Sequence, residues 1–145
     1  MQNFFPILKT TGYTITSPPT IEYNCIAWAA GDTESWWWPD PFNQYFWPSE
    51  APREDTIDAF VKAFELLGYT ICSDADYETG YEKIAIYASQ AGRPTHAARQ
   101  IDSEKWTSKI GQLEDIEHDI SGLSGDIYGK PVVYMRRPRN GYSSV

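Results

Sequence analysis

Positive charge is in short supply in this chain, where 12 Lys and Arg stand against 20 Asp and Glu for a formal net charge of -8. Surfaces that hold nucleic acid or anionic lipid need clustered Lys and Arg, so neither partner is expected. Cysteine is as scarce, with Cys25 and Cys72 alone. Two thiols do not make a disulfide framework, although one bridge between them is compatible with the sequence, and a reduced, cytoplasmic chain is the expectation. Met1 to Thr20 carry a single Lys9 and no apolar run of the length that a signal peptide or membrane span requires. Internal repeats and low-complexity tracts are missing too, which sets aside solenoids and tails. Neither the Rossmann nor the Walker glycine spacing occurs, and Ser121-Gly122-Leu123-Ser124-Gly125 is wrongly spaced for a Gly-x-Ser-x-Gly elbow. Nucleotide chemistry and serine hydrolysis drop out, and no cofactor is expected.

Metal ligands are thin as well. The two histidines, His96 and His118, and the two cysteines show no paired short spacing of a zinc site. Asp115 and His118 sit three apart, as on one face of a helix, but a di-metal bundle needs a second copy of that motif. Asp74, Asp76 and Glu78 alternate like calcium ligands, yet Thr79 and Ala85 stand where the loop requires Gly and Glu. No metal is expected.

Aromatic residues, by contrast, are abundant, with six Trp and ten Tyr. They exclude a disordered chain, and 145 residues suffice for one domain with its own core. We expect a single domain over 1–145, with an extended lead-in and one edge strand over 1–20 and a flexible tail over 138–145. From Asp32 to Pro52 the chain carries Trp36, Trp37, Trp38, Phe42, Tyr45, Phe46 and Trp47, punctuated by Pro39, Pro41, Pro48 and Pro52. The prolines forbid regular structure, so the rings ride on a loop. Either they wall a substrate cleft, or they fold into a minor core. Ile57, Phe60, Val61, Phe64 and Leu67 draw one apolar stripe on a helix spanning Glu54 to Leu67, which Gly68 stops. Tyr81 to Ser89, Thr95 to Ile101 and Trp106 to Ile110 read as an antiparallel meander, turning at Gln90 to Pro94 and at Asp102-Ser103. Leu113, Ile116, Ile120 and Leu123 keep helical spacing, and Lys130 to Arg136 supplies a last strand.

The stretch Tyr23 to Gly31 carries the chemistry. It reads as a short apolar helix capped by Asn24 and closed by Gly31, with Cys25 in its first turn. There the free backbone N–H groups and the positive dipole end favour a thiolate, although an unpaired Cys between apolar neighbours is also ordinary core. His96, at a strand start beside the small Ala97 and Ala98, is the available base, or else a hydrogen-bonded structural histidine. A third group should accept the second imidazole N–H. Ser108 fits the hairpin register best, with Thr107 behind it and His118 in reserve, since Lys109 has no acceptor.

This order of elements, helix with Cys, strand with His, strand with a polar group, resembles the papain-like superfamily in its NlpC-type and CHAP-type forms. The resemblance implies an α+β papain-like core, with an N-terminal Cys-bearing helix packed on an antiparallel sheet. It implies a cysteine-dependent hydrolase or acyl transferase acting on an amide, ester or thioester of a peptide or small acyl substrate. Cys25 would be nucleophile, His96 general base and Ser108 the orienting residue, with Asn24, Trp36, Trp37, Trp38 and Trp47 on the substrate side. Those families usually carry Asp or Gln near the cysteine and His, Asp or Asn third, where this chain has Asn24 and Ser108. The runs at Tyr81 to Ala88, Pro94 to Gln100, Trp106 to Gly111 and Asp115 to His118 are similar, more literally, to a family of small uncharacterised bacterial proteins, which implies no activity. The competing expectation is a non-catalytic binding or immunity-type module whose aromatic loop docks a protein partner.

Overall fold

The computed structural model describes residues 4–101, 104–110, 112–125 and 127–139. Seven strands form one sheet: β1 (Tyr13–Ser17), β2 (Thr70–Cys72), β3 (Tyr81–Ala88), β4 (Pro94–Gln100), β5 (Trp106–Lys109), β6 (Asp115–His118) and β7 (Lys130–Pro138). All pairings are antiparallel, in the order β1-β6-β5-β4-β3-β7-β2. The helices are α1 (Leu8–Thr11), α2 (Cys25–Ala30) and α3 (Ile57–Glu65).

The central strand β3 sorts its side chains by the period of two that a pleated strand imposes. Ile84 and Ile86 point to one face, where they meet α2, α3 and the rings of Trp37 and Trp47. Ala85 and Tyr87 point to the other, where Phe5, Leu8, Trp106, Ile116 and Leu123 cover them. The small Ala97 lies with Cys25, Ile26 and Ala27 on the first face, giving α2 room to seat against β4 and β5. α3 follows its apolar stripe: Thr56 accepts from the Ala59 N–H, and Phe60 and Phe64 are fully buried.

The expected papain-like α+β core is not formed. The protein is β-rich, and its helices run only 4, 6 and 9 residues. The clearest departure is the stretch around Ile116, expected as a helix. Residues Asp115–His118 are instead strand β6, pairing with both β1 and β5. The spacing of Leu113, Ile116, Ile120 and Leu123 coincides with turn, strand and turn, and two flanking strands outweigh a weak local period. The lead-in is edge strand β1 preceded by α1. The Asp102-Ser103 turn and most of the expected tail lie outside the described residues. Among the described residues, no helix is long and apolar enough to cross a membrane.

Candidate functional site

Cys25 does open α2, and Asn24 caps it by accepting the Ala27 N–H at 3.1 Å. The thiol, however, is 7% exposed. Burial pushes it up to about 11, against the partial relief of the backbone N–H groups of Ala97 and Ile26. A six-residue helix supplies too little field to offset that desolvation, so Cys25 is a thiol at neutral pH.

The same sheet separates Cys25 from its expected base. Ala97 faces α2, so its neighbour His96 faces the opposite side. There the imidazole stacks on Tyr128, with centroids 4.1 Å apart and planes at 11°, and meets the edge of Tyr87 at 5.1 Å. The expected Cys25 and His96 ion pair is therefore not assembled.

His96, Ser108 and His118 are brought together instead, each essentially inaccessible. Ser108 Oγ lies 2.9 Å from His96 Nε2 and 2.7 Å from His118 Nε2, and His118 Nδ1 lies 2.7 Å from the Asp119 carbonyl. A carbonyl only accepts, so His118 carries its proton on Nδ1 and its Nε2 accepts from the Ser108 hydroxyl. That hydroxyl then accepts from His96 Nε2–H. The chain of donors runs one way, and it leaves His96 Nδ1 buried with a lone pair and no partner. Burial, with His118 adding to it, drives His96 well below the usual imidazole value; burial also lowers His118 to about 4, although the Asp119 carbonyl opposes the shift. Both rings are neutral at pH 7. Thr107 points to the α2 face, where it accepts from Trp28 Nε1 at 3.1 Å. His118 stands on β6 rather than a helix, and three positions along a strand put it on the face opposite Asp115. Asp115 accordingly binds the Tyr23 hydroxyl at 2.7 Å and the Ser17 hydroxyl at 2.6 Å.

The aromatic loop divides its rings in two. Trp37 and Trp47 are buried, Trp38 sets its edge against Phe60 at 5.5 Å, and Trp36 is half-buried against Tyr45. Asn24 ties the loop to α2, donating to the Trp37 carbonyl at 2.6 Å and accepting its N–H at 3.1 Å. At the far end Phe42 is 80% exposed, Phe46 49% and Tyr45 44%. Asp40, missed in the sequence, holds this tip: its carboxylate accepts the N–H groups of Gln44 and Tyr45 and pairs with Arg53 at 3.1 Å. Those contacts outweigh burial and hold the Asp40 carboxyl below its ordinary range. Its signal was an Asp directly before Pro41 in a turn-rich run. A bridge between Trp37 and Phe46 closes the neck, and Asn43 takes a left-handed φ of 55° at the tip.

What these residues define is a β-rich domain carrying a braced aromatic loop on one face and a buried His-Ser-His chain on the other. The chain belongs to the family described as a domain of unknown function, DUF7689, whose model matches residues 14–136. No curated protein and no solved structure matches it.

Proposed function

We propose that this domain is a non-catalytic binding module whose aromatic loop docks a protein partner. One observation carries the reading: Phe42, Tyr45 and Phe46 stand in solvent on a loop tip braced by Asp40, Arg53 and Asn24. Rings held rigidly before binding lose little entropy on docking, which is the character of interface anchors. The charge around them narrows the partner. Between Asp32 and Asp58 the chain has seven Asp and Glu against the single Arg53. A partner surface with a basic rim and an apolar centre complements this, with Arg or Lys side chains lying over the exposed rings. The hydrolase reading has against it the buried thiol of Cys25 and the position of His96 across the sheet.

The test compares capture by the wild type, Cys25→Ala and a Phe42→Ala/Phe46→Ala double variant. A basic protein held by the first two and lost from the third, all three being folded, supports the module. Equal capture by all three counts against the loop, and turnover of a thioester or peptide substrate that disappears only in Cys25→Ala overturns the reading outright.

A further inference from the structure

β1 ends the sheet on one side, with β6 as its one neighbour among the described residues. The bond from the Ile110 N–H to the Glu114 carbonyl sets the phase of the β5–β6 ladder, because opposed residues of antiparallel strands alternate between exchanging both main-chain bonds and exchanging none. Counting across β6 turns the main chain of Asp115 and Glu117 toward β1. Thr14, opposite Glu117, therefore bonds to β6, while Tyr13 and Ile15 aim their N–H and C=O groups outward. Among the described residues no segment meets those groups. The charges and prolines that blunt an edge are absent from Tyr13–Ser17, and Ile15 is 52% exposed. A register shift between Ile15 and Ser17, followed by Pro18-Pro19, confines the open edge to its first three residues. The opposite edge, β2, is only three residues long in all, which is ordinary protection.

The strand that best completes this edge is the same strand turned around. With a twofold axis beside Thr14, Tyr13 of one copy lies opposite Ile15 of the other and Ile15 opposite Tyr13, so the outward groups of both residues find N–H···O partners in each copy. The side chains agree with that register. Each Tyr13 ring lies beside an Ile15 on one face and the two Thr14 hydroxyls meet on the other, and both are pairings that stabilise antiparallel strands. Charge agrees as well. Each copy carries a net charge of -8, and an uncharged edge is where two such copies can approach. Exposed Lys9 precedes the strand and exposed Glu22 follows it, so antiparallel pairing carries the cationic end of one strand toward the anionic end of the other. We propose that the protein forms a twofold dimer in which β1 pairs with β1 of a second copy, joining two seven-stranded sheets into one. The pairing uses both β1 edges, so the assembly closes at two. Its contact is smaller than that of a permanent dimer, which makes the association weak and dependent on concentration. It is separate from the aromatic loop and does not depend on it.

The experiment is analytical ultracentrifugation of the full chain from about 5 µM to about 500 µM, the range in which a small interface assembles. A monomer–dimer equilibrium is expected. Ile15→Pro removes an N–H that the chain's own sheet does not use, so the folded variant should dimerise at least about tenfold more weakly. A second measurement does not rely on that variant folding. The two Thr14 residues face each other as a pair without main-chain bonds, about 4.5 Å apart at Cα, which is within disulfide reach. Thr14→Cys should therefore give a covalent dimer under mild oxidation well above the wild-type background, and Thr70→Cys on β2 should not. A monomer at every concentration leaves the edge to some other occupant and overturns the dimer. So does a dimer that persists undiminished in folded Ile15→Pro, or crosslinking through Thr70→Cys in place of Thr14→Cys.

Discussion

A histidine that accepts a proton only with difficulty makes the folded state sensitive to mild acid. His118 falls to about 4 in the folded chain, against about 6.5 for a free imidazole, so between those values the unfolded state binds the proton and the native state does not. Stability is therefore full above the unfolded value and declines as the pH drops toward 4. For His118 alone the loss at pH 5 is about 2 kcal/mol, and His96, shifted the same way, adds to it. Urea midpoints at pH 7.5 and pH 5 should differ accordingly, and a midpoint flat across that range would disprove the neutral pair. Cys25 makes the complementary case. Iodoacetamide at pH 8 should label the half-buried Cys72 well before Cys25, as read by peptide mapping, because Cys25 is closed off and remains protonated up to about 11. Rapid labelling of Cys25 in the native state would reopen the nucleophile reading.

Elements differ in how plainly their residues announce them. The stripe on α3 and the runs of β3, β4, β5 and β7 were legible because each is long or alternates clearly, and the Asn24 cap and Gly31 stop were legible because local backbone chemistry sets them. β6 was not: four residues hold too little pattern, and their conformation comes from β1 and β5 on either side. The proximity of His96 to Ser108 followed from hairpin register. The side of the sheet on which His96 stands did not, because one step along β4 exchanges the two faces. Asn24 is the element-level weak point. It caps α2 and also makes both bonds to Trp37, so Asn24→Ala should cost about 2 to 4 kcal/mol in denaturant unfolding. Phe42→Ala, which removes an exposed ring, should change stability by no more than about 0.5 kcal/mol. Equal losses in the two variants would mean that the loop is not tied down through Asn24. Gly129 is the second pressure point: its φ is 74° and a Cβ there would run into the Ala88 carbonyl, so Gly129→Ala should lower the melting temperature clearly.

At the scale of the whole molecule, the order of the strands sets what must exist before anything is finished. Among the described residues, β7 lies between β3 and β2 although it is the last strand in sequence order, and β1, the first, has only β6 for a neighbour. Neither α3 nor the aromatic loop has a completed sheet beneath it until Lys130–Pro138 is in place. On the ribosome this topology enforces waiting. A nascent chain stalled after Gly129 holds β1, β6, β5, β4 and β3 but leaves β2 and one edge of β3 without their partner, so it should remain open to protease on that side until Lys130–Pro138 emerges and the sheet closes in one late step.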